Sequence, residues 1–270
     1  MTGDYETSSY QGIQLVTQEA KLLNRLEDMI DEPIPPDRIG FYTTGFKSDQ
    51  KHVTGLSFHD KGLKTLPDAI SEFVYLEKLY LRDNRLTTLP GTIGKLQHLK
   101  NLDVFNNRIT TLPETIGNLE QLQRLDLSRN YIATLPENIG NLHTLRRLGL
   151  LNVQLQALPD SIGQLQNLWD LIASTNHLES IPASIGELTC LTRLALHDNQ
   201  LRLLPNTLGN LCNLELLSLH TNQLTTLPIS FARLTSLKVL RLENNTLEPL
   251  SPPLQEWITS LKSKGCGVRL

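Results

Sequence analysis

His197, His220 and Glu243 follow one another at steps of 23 residues, and two imidazoles with a carboxylate form a zinc-type donor set wherever a chain brings them together. On strands lying side by side, neighbours in such a column stand about 5 Å apart. Nothing else in the sequence orients the imidazoles, and histidines on a polar face are ordinarily solvated, so no bound metal is expected. His59 and Asp60 are adjacent along the chain and point to different places. No GxSxG elbow, HExxH helix or glycine-rich phosphate loop occurs. The chain reads as non-enzymatic and without a cofactor.

A second set of residues points to binding. Arg124, Arg147, Asp170 and Arg193 share one 23-residue register, and Arg82, Phe105 and Leu151 share another four residues further along. Ile172 lies in the register between them, and Tyr131 and Trp169 fall near the two rims. Apolar side chains gathered on a wet face and rimmed by arginine mark a protein partner site. The expected partner is a protein or peptide carrying an apolar anchor and acidic residues. The competing reading is that Asp103, Asp126 and Asp170 merely neutralise the arginines on a solvated face.

These columns exist only because the chain repeats. Leu66-Pro67, Leu89-Pro90, Leu112-Pro113, Leu135-Pro136 and Leu158-Pro159 are followed by Ile181-Pro182, Leu204-Pro205 and Leu227-Pro228 with no insertion. Between them, Leu125 and Leu127 alternate with Arg124, Asp126 and Ser128, which is strand periodicity with one face in the core. Leu135-Pro136 to Ile139 and Leu142 space apolar residues at four and three, with proline at a first turn, which predicts a short helical or 3-10 segment. One such unit cannot bury both flanks, so the copies must stack into a solenoid. The Asn of each copy (Asn84, Asn107, Asn130, Asn176, Asn199, Asn222, Asn245) sits where the chain leaves the strand and is read as a structural ladder satisfying turn backbone groups. The fifth copy departs from this pattern, with Val153 in the ladder position and Asn152 one residue early.

The copy Leu122-Gln-Arg-Leu125-Asp-Leu127-Ser-Arg-Asn130-Tyr-Ile132 carries every marker of LxxLxLxxNxL, so the chain resembles the leucine-rich-repeat family. The LPxxIGxL link is similar to that of the intracellular 23-residue type found in plant Ras-group-related proteins, Ras-binding scaffolds, Roco repeat arms and stand-alone bacterial and archaeal repeat proteins. The resemblance covers about residues 53–250. It implies an α/β horseshoe with a concave parallel sheet of about nine strands, short helical or 3-10 turns on the convex side, and a binding surface on the concave face. A protein-interaction scaffold in signalling is the implied role, with regulation of a small-GTPase pathway as the alternative. No GTPase phosphate loop (GxxxxGK[ST]) accompanies the repeats.

A net charge of −3 argues against nucleic acid or a membrane surface as partner, although Lys78, Arg82, Arg85, Arg108, Arg124, Arg129 and Arg147 bias the early repeats toward positive charge. No signal peptide or membrane span is read, and Cys190, Cys212 and Cys266 form no stapled cap, which fits the cytoplasm. Cys190 and Cys212 read as buried thiols. The expected organisation is an N-terminal cap over 1–52 (loose over 1–10, a helix over about 17–31 and an edge strand over about 41–46), repeats over 53–250, and a cap helix with tail over 251–270. A monomer is favoured.

Overall fold

The computed structural model describes residues 5–270. Parallel strands dominate it: β4 (His52–Phe58), β5 (Lys78–Tyr80), β6 (Asn101–Asp103), β7 (Arg124–Asp126), β8 (Arg147–Gly149), β9 (Asp170–Ile172), β10 (Arg193–Ala195), β11 (Leu216–Ser218) and β12 (Val239–Arg241). Each of the three-residue strands pairs with the next in register at the repeat distance, as in Arg124↔Arg147 and Leu125↔Leu148. The middle residue of each, such as Leu125 and Leu148, enters the core, and its two neighbours face the open side. The sheet has eleven strands, because β3 (Thr44–Asp49) joins one edge and β13 (Gly267–Arg269) the other.

After each strand from β4 to β11 runs a five-residue 3-10 turn, as at Glu137–Asn141, preceded by the proline whose missing N–H costs nothing there. Ile139 of this turn and its counterparts Ile116, Ile162 and Ile185 are fully buried. The glycine after them is required by stacking: a Cβ on Gly140 would stand 2.7 Å from the Ser161 carbonyl oxygen of the following turn. The turns thus pack on one another as closely as backbone allows, and leucine fills the space between turns and sheet.

The asparagine ladder works as its chemistry suggests. Asn130 Oδ1 accepts from Ile109 N at 2.9 Å, while its amide donates to the carbonyls of Val104 (3.0 Å) and Leu127 (2.7 Å). One residue before each ladder position the backbone turns left-handed, at Asp83, Asn106, Arg129, Asn152, Thr175, Asp198, Thr221 and Asn244. This accounts for the irregular fifth copy. Asn152 occupies the left-handed position, which asparagine tolerates best among non-glycine residues, and Val153 fills the buried one behind it.

The N-terminal segment is more built than its polar composition suggests. Within the stretch read as loose, residues 1–4 lie outside the described residues, and Thr7–Tyr10 forms β1, paired antiparallel with β2 (Ile13–Val16). Helix α1 (Thr17–Ile30) turns Leu22, Leu23 and Leu26 onto the first repeat. Glu19, buried beside them, accepts from Val53 N (2.7 Å) and pairs with His52 Nδ1 (2.9 Å), tying the helix to β4. The edge strand runs over Thr44–Asp49, not 41–46, because Phe41 and Tyr42 are turned away from the sheet edge. At the other end α2 (Pro252–Ser263) lays Leu254, Trp257, Ile258 and Leu261 on the last repeat, and Trp257 Nε1 donates to the Leu234 carbonyl at 3.1 Å. Cys190 and Cys212, read as buried, are exposed, because they stand just before the leucine that enters the core at the start of the strand segment.

Candidate interaction surface

The residues singled out in the sequence fall on and beside β5 to β10, and the structure divides them. Arg82 does not belong to an accessible site: it is 8% exposed, its Nε sits 2.9 Å from both oxygens of Asp103, and its NH2 lies 3.3 Å from Asp126. It is also enclosed by rings, with Phe41 at 4.5 Å and Phe105 at 4.7 Å from its guanidinium carbon. The loop that delivers Phe41 is part of the N-terminal cap, so the cap covers that end of the concave face. No spacing rule in the repeats could have shown this, since Phe41 lies outside them.

Asp103 is fully buried, and burial, reinforced by the neighbouring Asp126 charge, pushes its carboxyl up to about 6. Arg82 pulls the other way and only partly compensates. Tyr80 is likewise raised, chiefly by burial. Further along, Asp170 is 2% exposed, with Oδ2 3.1 Å from Arg147 and Oδ1 3.7 Å from Arg193 Nε, beyond hydrogen-bond reach. Its Oδ1 accepts no hydrogen bond. The carboxylates therefore pair with arginines, but Asp103 and Asp170 do so from buried positions and not on a solvated face. Arg82, Arg124, Arg147 and Arg193 nevertheless outnumber Asp103, Asp126 and Asp170 by one.

Phe105, Arg124, Arg147, Leu151, Asp170 and Ile172 are brought together around a hollow of about 170 Å³. Its floor is Gly149, a residue the sequence reading passed over. A Cβ there would meet Asp126 Oδ1 at 2.7 Å and Ser128 Oγ at 3.1 Å, so any side chain would have to displace the carboxylate and fill the dent. A glycine at an open-face position of a strand, where neighbouring repeats carry a side chain, is the signal that marks such a place. Trp169 lies under the Arg147 guanidinium at 5.3 Å, on the rim where strands begin, and Arg193 extends the charged edge beyond. Tyr131 is not part of the hollow. It lines a wider polar groove of about 870 Å³ with Tyr42, His59, Asp83, Arg85 and Arg108, on the side where strands end.

The His197, His220 and Glu243 column does not converge. The two imidazoles stack face to face with centroids 4.4 Å apart, and burial, with the neighbouring His220, lowers the pKa of His197. Among the described residues no group of three His, Cys, Asp or Glu stands close enough to hold a metal ion. Nor is any helix among them long and apolar enough to cross a membrane.

Coils of 23 residues stacked on one parallel sheet make the chain a leucine-rich-repeat solenoid. The family described as leucine rich repeat matches residues 74–132. Among solved structures, a leucine-rich-repeat protein of Leptospira interrogans is 32% identical, with a TM-score of 0.60, over 73% of this chain and 56% of its own. The ectodomain of the Arabidopsis thaliana receptor kinase GASSHO1/SCHENGEN3, solved in complex with CASPARIAN STRIP INTEGRITY FACTOR 2, is 30% identical with a TM-score of 0.72 over 79% of this chain. The chain thus spans about half of the first and only 27% of the second. Internalin C2 of Listeria monocytogenes, 21% identical with a TM-score of 0.59 and 88% covered, shares the fold. No curated protein matches the chain.

Proposed function

We propose that the chain is a non-enzymatic interaction module that binds a protein or peptide on its concave face, across β6 to β10. One observation carries this reading: the hollow over Gly149 is walled by Phe105, Leu151 and Ile172 and edged by Arg124 and Arg147. An apolar side chain of the partner enters it, and acidic residues of the partner lie along the half-exposed Arg147 and Arg193. The receptor ectodomain of similar fold was solved in complex with CASPARIAN STRIP INTEGRITY FACTOR 2, which supports a recognition role for the fold. The footprint excludes Arg82, because Phe41 covers it, and begins at Phe105 and Arg124. The free, exposed thiols of Cys190 and Cys212 support action in a reducing compartment, in keeping with the intracellular type of repeat.

The test is retention of a partner isolated from the source cell's extract. Leu151→Asp combined with Arg147→Glu is expected to abolish retention while the circular dichroism spectrum stays that of the parent. Undiminished retention by the folded double variant refutes the concave-face reading.

A further inference from the structure

Phe41 shows how this face holds an aromatic ring. Its centroid lies 4.5 Å from the Arg82 guanidinium carbon and 4.8 Å from that of Arg124, with the Tyr80 ring 5.0 Å away. The hollow over Gly149 also lies beside two guanidiniums, those of Arg124 and Arg147 on the adjacent strands β7 and β8. Its volume of about 170 Å³ is close to the ~150 Å³ at which an apolar cavity admits benzene. Phe105, Leu151 and Ile172 supply the apolar walls, and a ring over Gly149 would lie within cation–π range of the two guanidiniums. Asp170 also lines the hollow, and its Oδ1, buried and without a hydrogen bond, lacks a donor.

We propose that the hollow takes the side chain of an unmodified tyrosine in a partner peptide, with its ring between Arg124 and Arg147 and its hydroxyl donating to Asp170. This rests on the concave-face reading above and specifies its anchor. An aliphatic residue would forgo both guanidinium contacts and leave Asp170 Oδ1 without a donor. An anionic ring substituent would meet the carboxylates of Asp126 and Asp170. Phenylalanine keeps the ring contacts and loses only the hydrogen bond.

The test titrates N-acetyl-tyrosinamide, its phenylalanine and leucine analogues, and the phosphotyrosine analogue into the full chain with 13C-labelled Leu and Ile methyls. Saturable shifts of the Leu151 and Ile172 methyls are expected with tyrosine, at least threefold weaker binding with phenylalanine, and no saturation with leucine or phosphotyrosine. Gly149→Leu, which fills the hollow, should abolish the tyrosine response. Arg147→Gln, which leaves the apolar walls and the Gly149 floor in place, should weaken it at least threefold and keeps the test decisive if the first variant misfolds. Equal response to leucine, preference for phosphotyrosine, or no saturable tyrosine response overturns the proposal. The pull-down with Leu151→Asp and Arg147→Glu answers separately, so a missing tyrosine pocket and a missing concave-face partner are told apart.

Discussion

Asn130 and Asp103 represent the two ways this protein buries a polar side chain. Asn130 meets backbone groups at every polar atom, and its replacement by alanine orphans Ile109 N and the carbonyl of Leu127. With about 1–3 kcal/mol for each buried group left unpaired, Asn130→Ala should cost on the order of 3 kcal/mol, read from the midpoint of urea unfolding. Asp103 is held in a fully buried place, and its folded-state carboxyl is raised from 3.8 to about 6. The folded state thus binds its proton more tightly than the unfolded chain. The associated stability, on the order of 3 kcal/mol, is complete below about pH 4 and lost as pH rises through 6. A carboxyl-carbon NMR titration should place the Asp103 midpoint near 6, and Asp126→Asn, by removing a neighbouring negative charge, should lower it. Thr175 illustrates local strain: a β-branched residue held at φ 57°. Thr175→Asn should raise stability by about 0.5–1 kcal/mol in the same urea assay.

Among the elements, the caps decide whether the solenoid ends cleanly. Trp257 on α2 is 5% exposed, packs edge-on against Phe231 at 5.9 Å, and uses its indole N–H on the Leu234 carbonyl. Trp257→Ala should cost about 3–5 kcal/mol and, because coils contact only their neighbours, should speed amide exchange first in β11 to β13. At the opposite end the loop between α1 and β3 covers part of the concave face as well as closing the edge. It places Phe41 on the concave face, beyond the reach of a cap that only blocks an edge. Neither Phe41 nor the shift of β3 to Thr44–Asp49 was legible in the sequence, since both depend on where a non-repeating segment comes to rest.

For the whole molecule, the sequence by itself determined the stacking. Pro-linked 23-residue units with leucine at fixed offsets admit one way to bury both flanks, so the parallel sheet, its register, the 3-10 turns and the asparagine ladder were all readable. The columns of Arg124, Arg147 and Arg193 were readable for the same reason, because register follows from the period. The tertiary structure alone decided which of those residues are available. Arg82 is sealed by Phe41, Tyr131 lies across the strand ends from the others, and the two histidines stack on each other. Gly149 becomes the floor of a hollow only when Asp126, Leu151 and Ile172 stand around it. The physical reason is that periodicity specifies contacts between equivalent positions of neighbouring coils. Which side chains remain open to a partner depends on contacts between inequivalent ones.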